Sequence, residues 1–522
     1  MSVIRVLALT ALLATPAQAQ SAFVHTLRGD TVQIEVFTRL PRRLDGEVSA
    51  KGAPRQVFSN RIEADGRLGT LSMAVFAPGA KPGATPVAQA DIAITGDTAV
   101  AGIGAPGRAT NTQRIQSRQL AQPIVNASVA AFEVIIAAAR RDRTRDVPQV
   151  FLATGGQTFP VEFTNLQSDS IAVALGTQRM YFITDSSGRL VRGGMPQHGL
   201  QFTRVDGIAV SKLGLSRPDY SAPADAPYVA QGVTVPTGRG FTLGGTLTLP
   251  AGTASALPVV VSITGSGPQD RDEHIGAVPG GYRLFRQLAD TLGRRGVAML
   301  RLDDRGVGES GGDFAAATSR DFADDVRSAL AFLRTQPGID PQRVYLLGHS
   351  EGGMIAPMVA LEEPSLAGLV ILAGPARTGR QILDVQNRYA LERDTTLSAA
   401  ARAAALARVP TLVDSALRTT PWLRFFGSHD PLATARRVRQ PVLILHGADD
   451  QQVPASDGAT LAQAMKAGGN TDVTLRTFPD LNHLFIRQPG GDPGGYMALP
   501  THLAAAEVLG AAVEWIVAHA RH

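Results

Sequence analysis

The segment Gly348-His349-Ser350-Glu351-Gly352-Gly353 follows the apolar run Tyr345-Leu346-Leu347 and leads into the helix-like Met354-Ile355-Ala356-Pro357-Met358-Val359-Ala360. A serine on so tight a strand-to-helix turn needs glycine two positions away on either side, and its hydroxyl then stands clear of the sheet. The dipole and N–H groups at the start of the following helix face any negative charge that develops there. A hydroxyl is a poor nucleophile near neutral pH, so it needs a base for its proton and a third group to fix that base in one tautomer. Two later segments supply such groups. Val442-Leu443-Ile444-Leu445 runs into His446-Gly447-Ala448-Asp449-Asp450, and Phe478-Pro479-Asp480-Leu481-Asn482-His483 carries a histidine just past another apolar run. Ser350, Asp450 and His483 thus occur in the order Ser, Asp, His near strand ends, a set suited to nucleophilic acyl transfer with no metal or cofactor.

Setting matters more than pattern here, because glycine accounts for 54 of 522 residues. Gly308-Glu309-Ser310-Gly311-Gly312 fits the same template, yet it follows the polar Asp303-Asp304-Arg305-Gly306 and precedes Asp313-Phe314. With no buried strand before it and no helix start after it, Ser310 reads as a loop serine.

The elements that would position these residues begin at about Ala230, where apolar runs alternate with helical stretches. The runs are 257–263, 297–302, 344–347, 369–372, 442–445 and 473–478, and the helical stretches include 282–292, 319–334, 458–467 and the terminal 503–520. That alternation implies crossover connections and a mainly parallel sheet flanked by helices. An alanine-rich helical block at about 378–440 interrupts it and is expected to form a cap. Before it, residues 20–210 show short alternating segments such as Thr31-Val32-Gln33-Ile34-Glu35-Val36-Phe37, which predict a β-rich α+β domain curved around one helix at 127–141. Its general look is similar to periplasmic lipoprotein-carrier-like domains. Pro218, Pro223 and Pro227 mark a linker at 211–229.

Residues 1–19 read as a secretory signal: Arg5, the apolar run Val6 to Ala14, and a small-x-small site ending at Ala19. The apolar run is too short for a spanning helix, so no integral membrane segment is expected in the mature chain, which belongs in the periplasm or the medium. The absence of cysteine excludes disulfides, thiolate metal sites and a cysteine nucleophile. The net charge of +5 is scattered rather than striped, which argues against nucleic acid as a partner.

Taken together, Gly348-His349-Ser350-Glu351-Gly352-Gly353, His446-Gly447-x-x-Asp450-x-x-Val453-Pro454 and Asn482-His483 resemble the α/β-hydrolase superfamily from about Ala230 onward. The resemblance implies Ser350 as nucleophile, His483 as general acid and base, and Asp450 as orienting acid, with Asp449 as its competitor. It gives His446 a turn-shaping role. His274, His349 and His429 could touch substrate but read more naturally as structural. An oxyanion would be met by the backbone N–H of Glu351 and by the loop Thr264-Gly265-Ser266-Gly267, with Ser266 as donor; relatives often carry His-Gly where this chain has Thr264-Gly265, which leaves that assignment open by a residue. The loop lacks the Gly-Lys-Ser/Thr of a phosphate binder.

Residues 265–273 and 303–310 resemble a branch of exported bacterial hydrolases usually described as esterases, which implies a small-molecule ester as substrate. Asp270, Arg271, Asp304 and Arg305 in these stretches are expected to form ion pairs that hold the loops, the alternative being substrate binding. The serine motif also resembles the prolyl-oligopeptidase and aminopeptidase branches, so a peptide substrate is the second expectation; no β-propeller repeat accompanies it. A non-catalytic lipid or glycan binder on the same scaffold is the third.

Overall fold

The computed structural model describes residues 20–521, apart from 28–29, 51–52, 77–83, 105–110, 119, 127, 142–146, 154–155, 177, 208–209, 211–212, 215–217, 253–255, 276–277, 279–280 and 395–396. The signal segment expected at 1–19 lies outside the described residues. The chain divides into two compact units, 1–218 and 219–522. No helix among the described residues is long and apolar enough to cross a membrane.

The first unit is a 15-stranded sheet. Its order runs backwards along the chain from Asn111–Gln116 to Ser21–Leu27, jumps to Leu200–Asp206, and runs backwards again to Gln122–Ile124. Neighbours are antiparallel except Gln122–Ile124 with Gln149–Leu152, whose connection holds the helix Val129–Arg141. Phe132, Ile135 and Ile136 of that helix are buried among Phe37, Phe58, Phe182 and Phe202 of the sheet. Glu35 fixes its start by accepting the Val129 and Ala130 N–H groups at 2.7 and 3.0 Å.

His25 on the first strand of this sheet is buried beside Phe202, and burial lowers its pKa to about 4. Because the folded value lies below the unfolded one, its contribution is complete above about pH 6.5 and is lost as pH falls toward 4, an acid loss of about 3 kcal/mol. Calorimetry between pH 7.5 and 4.5 should show a smaller acid loss in His25→Phe than in the native chain. An equal loss in both would refute this account.

The second unit carries an 8-stranded sheet. Its spatial order is Tyr228–Pro236, Thr242–Pro250, Ala298–Leu302, Leu257–Ile263, Ile339–His349, Gly368–Leu372, Val442–Gly447 and Val473–Phe478. The first two strands are antiparallel additions; from Ala298–Leu302 onward all pairs are parallel. The inner strands are covered on both faces, which explains their unbroken apolar runs. Leu257–Ile263, Gly368–Leu372 and Val442–Gly447 are buried throughout. Helices Ser319–Leu333, Glu351–Ala360 and Ser456–Ala467 pack one face, and Leu284–Gly293 with Ala506–His519 pack the other.

Several boundaries differ from the sequence reading: the terminal helix read at 503–520 is Ala506–His519, and the strand read at 344–347 is Ile339–His349. The stretch expected as linker up to residue 229 is in part attached to the second unit, since Tyr220 Oη donates to Asp270 and Arg286 donates to the carbonyls of Asp219 and Ser221. The helix expected from Tyr282 begins at Leu284, because Tyr282–Arg283 pairs with His274–Ile275. Between Gly368–Leu372 and Val442–Gly447 the chain forms the helices Gly379–Arg393, Ala399–Ala416, Pro421–Ser428 and Pro431–Ala435. Thr378 starts the first with a reciprocal cap to Gln381.

Candidate active site

Parallel strands deliver the site residues at their carboxyl ends. Ile339–His349 is buried from Val344 onward and passes through Ser350 directly into the helix Glu351–Ala360. Ser350 sits at φ 54° and ψ −118°, a conformation that costs a non-glycine residue about 1–3 kcal/mol and clusters at functional sites. Its N–H donates to the Leu372 carbonyl at 2.9 Å. The flanking glycines are steric necessities. A Cβ at Gly348 would lie 2.1 Å from the Gly352 carbonyl oxygen, and one at Gly352 would lie 2.1 Å from the Ile263 carbonyl oxygen.

Val442–Gly447 leads into the turn that presents Asp450, and the loop after Val473–Phe478 presents His483. The two meet, with His483 Nδ1 2.7 Å from Asp450 Oδ2. Asp450 Oδ1 accepts the N–H groups of Gln452 and Val453, both at 2.8 Å. Burial opposes ionisation of Asp450, but its neighbours His483 and His446 outweigh it and hold the carboxyl well below the usual range. An ionised carboxylate at Nδ1 favours the proton on that nitrogen and leaves Nε2 as the basic one. Asn482 Oδ1 braces the histidine loop by accepting from Leu484 and Ile486.

The competing acid is directed elsewhere: Asp449 Oδ2 accepts the Gly490 N–H at 3.1 Å. His446 Nε2 donates to the Val453 carbonyl at 2.9 Å, so it shapes the acidic turn. Ser310 is spent within its loop, its hydroxyl donating to the Asp303 carbonyl and accepting the Gly244 N–H. His429 lies in the cap against Phe425 and Thr434.

The loop after Leu257–Ile263 comes close to the serine, since a Cβ at Gly265 would lie 3.2 Å from Ser350 Cβ. The Gly265 N–H is already taken by Glu273 Oε1 at 2.7 Å. The ion-pair partners expected here need correction. Arg271 pairs with Asp303 and Glu309, and Arg305 with Asp321 and Asp325. Asp304 instead accepts the Thr264 hydroxyl and the Gln269 N–H, and Asp270 accepts Tyr220 and the N–H groups of Asp272 and His274.

Sequence reasoning missed the side chain of Glu351. It is buried, and its carboxylate accepts from Ser319 Oγ at 2.6 Å, Trp422 Nε1 at 2.8 Å and Ser266 Oγ at 2.7 Å. It therefore joins the serine turn, the Thr264 loop and a helix of the expected cap. Desolvation raises its pKa against those three hydrogen bonds. Trp422 stacks on Phe426 and packs with Met354, Ile382 and Val453. The one signal in the chain was Trp422 itself, one of two tryptophans and the one within the cap.

A family model described as serine aminopeptidase, S33, matches residues 280–489, a span that holds the serine turn, the acid and the histidine. The second unit belongs to the α/β-hydrolase superfamily. Among relatives of this chain, esterase EstD of Thermotoga maritima is 31% identical over 264 residues, 49% of this chain and 61% of its own length. Dipeptidyl aminopeptidase BIII of Pseudoxanthomonas mexicana is 28% identical over 235 residues, 44% of this chain and 31% of its own. The chain thus spans less than two thirds of either relative. A solved esterase of Pyrococcus furiosus, Pf2001, superposes with a TM-score of 0.39 at 15% identity, over 58% of this chain and 97% of its own.

Proposed function

We propose that this α/β hydrolase cleaves carboxylic esters through an acyl-enzyme on Ser350, with His483 as general base and acid and Asp450 as its orienting partner. The observation that carries this reading is the 2.7 Å contact between His483 Nδ1 and Asp450 Oδ2, in the same fold as the strained serine turn. Ser350 Oγ passes its proton to His483 Nε2 and attacks the ester carbonyl carbon. The tetrahedral oxyanion accepts from the backbone N–H of Glu351 and of Ser266, the loop amide that follows the occupied Gly265 N–H. Collapse breaks the bond to the alkoxide, which takes the proton from His483, and water repeats the sequence on the acyl-enzyme. No metal or cofactor enters these steps.

A serine peptidase is the second reading, favoured by the description of the family model and by the Pseudoxanthomonas relative. The ester reading is supported over it by Glu351, the acid next to the serine, whose carboxylate already accepts three protein donors and offers little to a substrate ammonium. The acid–histidine contact speaks against a non-catalytic binder. The leader read at residues 1–19 makes the enzyme an exported one, in the periplasm or the medium.

Hydrolysis of p-nitrophenyl esters from acetate to palmitate, beside aminoacyl and prolyl p-nitroanilides, tests the choice. Ester turnover is expected; anilide turnover without it would replace the esterase by the peptidase.

A further inference from the structure

Glu273 and His349 form a buried ionisable pair to which the acyl-transfer steps assign no task. Each is 2% exposed, and Glu273 Oε1 lies 2.9 Å from His349 Nδ1. The same oxygen accepts the Gly265 N–H, so Glu273 holds the loop that carries Ser266. His349 immediately precedes Ser350, and its Nε2 lies 3.0 Å from the main-chain carbonyl oxygen of His483. The His349 and His483 rings are 4.9 Å apart between centroids. Beside them, buried Tyr282 donates to the Leu484 carbonyl at 2.6 Å, so two consecutive carbonyls of the histidine loop are held by side chains from elsewhere in the fold.

A carboxylate and a carbonyl are both acceptors, so His349 donates from both nitrogens, which requires the imidazolium. Burial alone would lower the His349 pKa, but the Glu273 charge and the hydrogen bonds to Glu273 and the His483 carbonyl outweigh it and raise the value. Glu273 sits at φ 54°, strained for a non-glycine residue. Its Oε2 is buried without a hydrogen-bond partner among the described residues. An isolated charge in that position would be costly; the His349 charge stabilises it.

Resting on the ester-hydrolase reading, we propose that Glu273 and His349 are a positioning pair that locks the Ser266 loop and the backbone of His483 into one register around Ser350. Neither group touches the reacting atoms. The pair acts through the Gly265 N–H on one side and the His483 carbonyl on the other, so it controls how oxyanion donors and base are placed when the transition state forms. Loosening either by about 1 Å lowers the rate about 10²-fold.

The test uses Glu273→Gln, His349→Gln and the double variant in the full chain, with p-nitrophenyl acetate kinetics expressed per site titrated by a fluorophosphonate. Titration removes any loss due to unfolded protein. Each single substitution is expected to lower kcat about 10²-fold with KM little changed, the pattern of interactions felt in the transition state only. The double variant leaves no unpaired buried charge, so it folds at least as well as either single, and its kcat should be no lower than that of the worse single. Titrated single variants with native kcat, or with raised KM and native kcat, would overturn the proposal. Failure of the ester reading is separable from this outcome. If the native chain turns over no ester, the rate of fluorophosphonate labelling at Ser350 still reports the pair: an approximately 10²-fold slower rate in the variants supports it, and an unchanged rate overturns it.

Discussion

Ser350→Ala is expected to lower kcat for p-nitrophenyl acetate about 10⁶-fold, because in the proposed mechanism every covalent step passes through its Oγ and the remaining members of the set have nothing to activate. What survives comes from binding and from the oxyanion donors, which still favour attack by water. The fold should be preserved. Alanine keeps the Cβ that the turn accommodates, and the backbone bond from residue 350 to the Leu372 carbonyl does not involve the side chain. The thermal midpoint should therefore stay near that of the native chain, and kinetics of the two proteins side by side check both statements. A variant that retained most of the activity would show that Ser350 is not the nucleophile.

Asp450→Asn should lower kcat about 10⁴-fold while barely changing shape. An asparagine can present its NH₂ to His483 Nδ1, forcing the proton onto Nε2, the nitrogen that accepts from the serine in the proposed mechanism. The loss is therefore one of tautomer and charge rather than of packing. Asp449→Asn is the matched control. Its carboxylate accepts the Gly490 N–H and makes no contact with His483 among the described residues, so its kcat should stay close to native. Kinetics of the two asparagine variants distinguish neighbouring acids that sequence spacing alone left in competition; a larger loss at Asp449 would reverse the assignment.

The serine turn was legible because its demand is local. Gly348 and Gly352 are required by backbone atoms within a few residues or on the adjacent strand, and the apolar runs around them reflect burial on both sheet faces. The Asp450–His483 contact was legible as motifs, since each residue ends such a run. The antiparallel strands Tyr228–Pro236 and Thr242–Pro250 were harder to see. Gly244 and Gly245, which lie against Glu309 and Leu302, interrupt the pattern that would have announced a strand. The ion pairs were legible as a class and not as partners, because Arg271 and Asp303 lie in loops that follow the neighbouring strands Leu257–Ile263 and Ala298–Leu302 and meet only once those strands pair. Glu273 and His349, 76 positions apart, left no mark in spacing at all. The same holds for Trp422 and Glu351, whose hydrogen bond depends on where the cap segment settles.

The nucleophile is located most directly by labelling the full chain with a biotinylated fluorophosphonate, digesting it and finding the adduct by mass spectrometry. The label should sit on Ser350, and it should be lost in His483→Ala, where no base activates the hydroxyl. An adduct on Ser310 or another serine, or labelling at the native rate without His483, would contradict the account.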